Sequence, residues 1–486
     1  MADPPIRACP NNARTLLDLD ADALAHCFGF LDIRDISNLS MTCKPLARVA
    51  SSDYVWNRLF REKWSHCSVS SGATGVREQY LARHTALHQL KFCDPWEIHY
   101  DYSFSGPASH LLLDRNTIFL SHGSRILRAR VDFAGIHQEE TSMAHDARIT
   151  CLRLFPIVET SLFRNGMQPM DNVIVTSSSD RTIRLWWKGG ARRCFKGHSG
   201  PVLSLADTLL GDSGSKILAS GGEDCTVRLW SLNPSGRQHP LVSTYRGHEK
   251  PLSFLTVAGH KSSLLVSISK DSRVRVWDTS ASSSNLSSCV GMTSVTGQPI
   301  AMKCHDTLCY IAGGASVTAI DLRTMQRAFT AAVHGPKIYS FQMLPSKWLM
   351  CTGGKGKALL WDIRKSQEHP EGPEPVAELE VNHNTVQFLH MDPYKVVTGG
   401  PFDYRVQVWE TGTGFLANSL DCRPDTREAA CLSAMAVDQC QIVTSGFSGY
   451  PEFVCYRDFS GCSVPASPED LGAAGSKFWE STPLND

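Results

Sequence analysis

A short strand ending in a tryptophan, or in a bulky stand-in, recurs along this chain. "TIRLWW" places Trp186, "TVRLWS" Trp230, "RVRVWD" Trp277, "KALLWD" Trp361 and "RVQVWE" Trp409. Three weaker copies hold the same register: "RILRARVD" at Val131, "SVTAID" at Ile320 and "PEFVCYRD" at Tyr456. The successive intervals are 55, 44, 47, 43, 41, 48 and 47 residues. A period this regular marks one supersecondary unit copied along the chain, which buries its faces only against its neighbours. The long first interval holds "ETSLFRNGMQPMDN", which reads as a loop insertion.

Around each copy lie other short strand signals, such as "NVIVTSSSD", "KILASGG", "SLLVSIS" and "KVVTGG". They are β-branched and leucine-rich runs bounded by Gly, Asp and Ser turns, with no helical stretch between them. Eight such units form a ring that must close or leave sheet edges exposed. The residues before the first unit, "EIHYDYSFS", alternate like a strand and are expected to complete the last unit. Seven units is the alternative count, because the first and last copies are the least regular.

Three consecutive units carry four further residues in step. They are His145, Thr176, Asp180 and Trp186; His198, Ser220, Asp224 and Trp230; and His248, Ser267, Asp271 and Trp277. With the ~40–45-residue period, these positions resemble the WD-repeat family over roughly residues 99–458. The resemblance implies an eight-bladed β-propeller in which each His, hydroxyl, Asp and Trp form a latch inside one blade. The fifth unit lacks both Trp and acid, the sixth has "TGGKGK" where the acid belongs, and the seventh has an extra residue in "TGGPFD". The same residue types serve as a hydrolase triad, but an enzyme needs one exposed set and not one per unit. No G-x-S-x-G elbow, phosphate loop or H-E-x-x-H helix occurs. No catalytic residue is assigned, and the chain is read as a non-enzyme.

Ahead of the repeats the pattern is helical. Leu24, Cys27, Phe28 and Leu31 follow i, i+3, i+4, i+7, as one face of a helix does. Ile36, Leu39 and Cys43 continue the pattern, with Asp35 as an N-cap and Pro45 as a break. Trp56, Leu59 and Phe60 share a third face. The segment from Leu19 to Phe60 resembles an F-box, with Asp20 in place of the usual proline and Met41-Thr42 in place of the valine-containing step. A small all-α F-box before a WD propeller implies a substrate receptor of a ubiquitin ligase. The head would dock on a Skp-type adaptor, and through it on cullin and RING subunits, while the propeller presents a protein substrate. The adaptor face is expected to comprise Leu19, Leu24, Cys27, Phe28, Leu31, Ile36, Leu39 and Trp56. A WD scaffold without a ligase role is the alternative.

Charge and composition bound the rest. The 48 basic and 48 acidic side chains balance, which argues against nucleic acid or anionic membrane as a bulk partner. The N-terminus reads as no signal peptide, no apolar run spans a membrane, and an intracellular location, cytoplasmic or nuclear, is expected. The 17 cysteines are scattered without C-x-x-C or zinc-ligand spacing, so free thiols and no metal or cofactor are expected. The domains are expected as a disordered 1–14, the F-box at 15–64, a linker with a helix at 65–95, the propeller at 96–460 and a disordered tail at 461–486. Propellers of this family bind on the face carrying the Gly-His and Asp turns. Leu203, Lys270, Tyr339 and Phe402 are the residues expected there. Of the positions that would carry a phosphate-reading arginine cluster, only Lys270 is basic, so that mode is not expected.

Overall fold

The computed structural model describes residues 16, 19–63, 75–78, 80–81, 95–102, 107–139, 143–160, 171–211, 216–232, 240–280, 289–365, 373–411, 413–422, 431–447 and 452–459. The expectations for residues 1–14, most of 65–95, most of the insertion, the serine-rich loop after Ser280 and the tail lie outside them. Two compact units divide the chain, Met1–His88 and Gln89–Asp486.

In the first unit, helices α1 (Ala21–Phe28), α2 (Ile33–Thr42), α3 (Lys44–Ala50) and α4 (Asp53–Lys63) follow one another among the described residues. Asp20, the departure from the F-box pattern, caps α1 by accepting from the Ala23 N–H at 2.7 Å. The cap of α2 is Asp32, not Asp35. Its carboxylate accepts from the Asp35 N–H at 2.8 Å, because the helix already begins at Ile33. Cys43 is extended and separates α2 from α3, and Pro45 lies in the first turn of α3, where its missing N–H costs nothing. The Trp56 indole donates to the Ala50 carbonyl at 2.6 Å and packs edge-on against Tyr80.

The second unit is an eight-bladed β-propeller of eight four-stranded antiparallel sheets. Blades are numbered with the repeats, so blade 2 runs through Ile149–Pro156, Asn172–Ser178, Thr182–Trp187 and Gly190–Lys196. The first strand of each blade contacts the first strand of the next around the whole ring, and that of blade 8 contacts that of blade 1. Trp96–Tyr102 supplies the outer strand of blade 8, pairing from Trp96 opposite Asp458 to Tyr102 opposite Glu452. The ring is therefore closed by both ends of the repeat array, and the eighth blade has no unpaired third strand.

The core lies between blades. The second strand of blade 2 is buried almost throughout, while its fourth strand is largely solvated. Second strands consequently read as continuous apolar runs and not as alternating ones, since both faces meet a neighbour. Trp230 of blade 3 packs with Val173, Val175 and Ile183 of blade 2. Trp186 packs on Phe119 and Ile126 of blade 1, and Trp277 on Leu229 and Tyr245 of blade 3. The repeated tryptophan thus glues each blade to the one before it.

Candidate functional site

The connections into each first strand and the turns between second and third strands share one face, called here the upper face. The latches sit just beneath it. In blade 2 the His145 Nδ1–H donates to Asp180 at 2.8 Å, and its Nε2 meets the Thr176 hydroxyl at 2.7 Å. The Trp186 indole donates to the same hydroxyl at 2.8 Å. Blade 3 repeats this with His198–Asp224 at 2.9 Å, His198–Ser220 at 2.8 Å and Trp230–Ser220 at 2.8 Å. The acids also accept from the backbone N–H of Asp146 and Ser199, which ties the incoming connection to the turn. Burial pushes the Asp180 carboxyl up, but donors from Thr182, His145 and the backbone outweigh it and hold it at about 2. The same balance, led by burial and then the His198 bond, holds Asp224 lower still.

Blade 4, complete by sequence, departs from this. His248 Nε2 meets Ser267 at 2.7 Å and Trp277 donates to Ser267 at 2.8 Å. Asp271, however, accepts from Ser269 and the Arg273 backbone, and the buried His248 Nδ1 has no partner among the described residues. The expectation of a four-membered latch there is corrected: Ser269 captures the turn acid. Burial, then the Arg275 and Arg273 cations, pull His248 down to about 4, although Asp271 works the other way. Blade 6 lacks the acid; His334 turns Nδ1 to Thr352 at 3.0 Å, Trp361 donates to Thr352 at 2.9 Å, and His334 Nε2 has no partner among the described residues. Blade 7 replaces the histidine with Asn384, which donates to Asp403.

The connectivity of blades 2 and 3 is that of a catalytic triad, but the surroundings are not. Thr176 and Ser220 are fully buried, and each hydroxyl already receives an indole N–H. A substrate carbonyl has no approach to them, so these sets act as internal clasps.

Blade 8 carries a different polar core that the sequence did not signal. Arg457, fully buried, donates to Glu97 at 2.7 Å and to the Asp421 carbonyl at 2.5 Å. Cys455 and His99 also bring polar atoms to Glu97 Oε1, at 2.9 and 3.0 Å. Glu97, His99 and Cys455 are ligand types gathered within 4.8 Å. The Arg457 guanidinium, however, already supplies the positive charge at that carboxylate, and burial pushes the Cys455 thiol well up. The cluster is an ion pair with satisfied neighbours. Burial raises the Glu97 carboxyl, yet His99, Arg457 and Cys455 together bring it to about 2.

On the head, the expected docking face is split. Leu24, Phe28, Ile36 and Trp56 are buried, Leu31 and Leu39 are half-buried, and Leu19 and Cys27 are exposed. Periodicity marks an apolar stripe but does not say which part is consumed by the neighbouring helices. The side chains that remain outside include Phe30 at 69% and Met41 at 75% exposure, with Tyr54. The Arg58 guanidinium lies 4.2 Å from the Phe30 ring centroid. On the propeller, Lys270 and Phe402 are exposed and Leu203 and Tyr339 half-buried, all four in upper-face turns or at strand starts. Tyr339 and Phe402 belong to blades 6 and 7, Leu203 and Lys270 to blades 3 and 4.

Comparison with known proteins agrees with this architecture. A family model for an F-box-like domain matches residues 21–62. A model for the WD domain, G-beta repeat, matches 138–186, 189–231 and 239–278. The nuclear distribution protein nudF of Aspergillus niger is 32% identical over 230 residues, covering 43% of this chain and 51% of the relative. Human striatin-3 is 35% identical over 133 residues, 23% of this chain and 16% of the relative. A ribosome biogenesis protein WDR12 homolog of Culex quinquefasciatus is 29% identical over 116 residues, 24% of this chain and 27% of the relative. The chain thus spans about half or less of these relatives. The computationally designed Ika8 protein superposes with a TM-score of 0.53 at 17% identity, over 73% of this chain and 97% of its own, a likeness of fold. No helix among the described residues is long and apolar enough to cross a membrane.

Proposed function

Because this chain joins an F-box-like domain to WD40 repeats and so has the make-up of an F-box/WD-repeat adaptor-type protein, we propose that it is the substrate-recognition subunit of a Skp–cullin–F-box ubiquitin ligase. The head docks on the Skp-type adaptor, and through it on cullin and RING subunits. The propeller holds a protein substrate on its upper face. Its contribution is proximity and orientation, with the chemistry supplied by the ubiquitin-charged enzyme. Such a complex would work in the cytoplasm or nucleus.

The observation that carries this reading is the pairing of the two domain types in one chain, together with apolar side chains that the head leaves outside. Phe30, Met41 and Leu19 are exposed on a small helical unit whose own core is already formed by Leu24, Phe28, Ile36, Val55 and Trp56. Exposed apolar groups on so small a unit support a docking role for the head. The structure redirects the test. Charged substitutions at Leu24 would break the head's core, whereas Phe30→Glu and Met41→Glu would leave it intact. The full chain should capture a purified Skp-type adaptor, and the two surface substitutions should abolish capture with helicity unchanged. An adaptor that ignores the folded wild-type chain would sink the proposal.

A further inference from the structure

The upper face is not uniform in charge. Blades 2 to 4 place acids in the turn between second and third strands: Asp180, Glu223-Asp224 and Asp271. In blade 6 that turn is Gly354-Lys355-Gly356, one residue shorter, with a lysine in place of the Glu-Asp pair of blade 3. Gly356 takes the positive φ of 79° that Cys225 takes at 60° in blade 3, so the shorter turn keeps the left-handed position while its charge is reversed. Blade 7 retains an acid, Asp403, but it is 6% exposed and accepts from Asn384. Burial pushes its carboxyl up, against the Asn384 bond.

Basic and aromatic groups surround this gap. Lys337 is exposed on the approach to blade 6, 5.4 Å from the Tyr339 ring centroid. Phe402 is 71% exposed beside the exposed Tyr404, and Arg405 lies over the Tyr404 ring. Hydrogen bonds link these positions into one sector. The Tyr339 N–H donates to the Gly353 carbonyl at 2.8 Å, and the Val386 N–H to the Gly354 carbonyl at 2.9 Å. Lys355 sits opposite Thr385 in the sheet, and the neighbouring Asn384 side chain donates to the Phe402 carbonyl at 3.4 Å. Lys357 is neutralised outward by Glu378 at 2.9 Å. Arg405 has only a loose 4.0 Å contact with Asp421. No ion pair among the described residues involves Lys337 or Lys355.

We infer that the upper face over blades 6 and 7 binds an acidic peptide segment bearing an apolar side chain, with its carboxylates on Lys337, Lys355 and Arg405 and its apolar group against Phe402 and Tyr404. This names the substrate class of the receptor proposed above and rests on that reading. Exposed cations beside exposed aromatics are the composition of a docking surface, and blade 6 presents Lys355 where blade 3 presents the exposed Glu223.

Three fluorescein-labelled peptides test it on the full chain: one alternating Glu with Leu and Phe, one with Lys for Glu, and one with Gly for Leu and Phe. The acidic apolar peptide should bind, weakening as salt rises. Lys337→Glu combined with Lys355→Glu, and separately Phe402→Ala, should each weaken it at least about tenfold. The double charge reversal should gain affinity for the lysine peptide. Equal binding of the acidic and lysine peptides, or no response to either set of substitutions, overturns the inference. Adaptor capture measured on the same samples separates the two proposals: loss of capture with peptide binding intact defeats the receptor reading alone.

Discussion

The Arg457 guanidinium donates to the Glu97 carboxylate at 2.7 Å, across a separation of 360 residues. Glu97 lies on the strand that precedes the repeats and Arg457 on the third strand of the last one, directly opposite each other in the sheet. The pair joins the two ends of the array inside the seam of the ring. Arg457 is fully buried and Glu97 is exposed, so removing Glu97 leaves a buried guanidinium without its carboxylate. Glu97→Ala should cost about 1–3 kcal/mol in urea unfolding, whereas Glu97→Gln with Arg457→Met should cost clearly less. Equal losses for single and double variants would count against an ion-pair seam.

The two turn acids Asp224 and Asp271 look equivalent by sequence and differ in the structure. Asp224→Ala strips His198 Nδ1 of its buried acceptor and should destabilise by about 1–3 kcal/mol. Asp271→Ala removes no bond from His248 and should cost under about 1 kcal/mol. Chemical denaturation of the two variants decides between a uniform and a graded latch.

Gly222 and Gly354 are needed for close approach to a histidine. A Cβ at Gly222 would lie 2.6 Å from His198 Nδ1, and one at Gly354 would lie 2.2 Å from His334 Nε2. Alanine at either site must displace a packed ring and should destabilise by about 1–3 kcal/mol. Alanine at Gly190, where nothing lies within 4 Å, provides the control and should be near neutral.

Acid should weaken the propeller through its buried histidines. Burial holds His248 at about 4, against 6.5 for the free side chain, and also lowers His145 and His334. The unfolded chain therefore binds more protons between those limits, and stability falls as pH drops from about 6.5 through about 4. For His248 alone the loss is on the order of 2–3 kcal/mol. Thermal midpoints of wild type and His248→Gln should converge as pH falls, and a constant gap would rule this contribution out.

The repeat of "RLW"-type strands at a near-constant interval determined the propeller, because a strand pattern copied in register leaves stacking in a ring as the way to bury both faces. The same pattern identified His, hydroxyl, Asp and Trp as partners in blades 2 and 3, where every member finds the next. Local sequence could not report that Ser269 intercepts Asp271, since a competing hydroxyl two residues away changes no motif. Nor did it reveal Arg457 and Glu97, whose meeting requires the ring to close. In the head, 3.6-residue periodicity marked the apolar positions, while helix packing chose which were consumed and left Phe30 and Met41 outside. The sequence by itself thus determined the repeating element and its internal clasp, which depend on short-range spacing. Tertiary structure alone decided the seam, the split of the head's apolar stripe and the basic, aromatic sector over blades 6 and 7, because each depends on which distant side chains burial brings together.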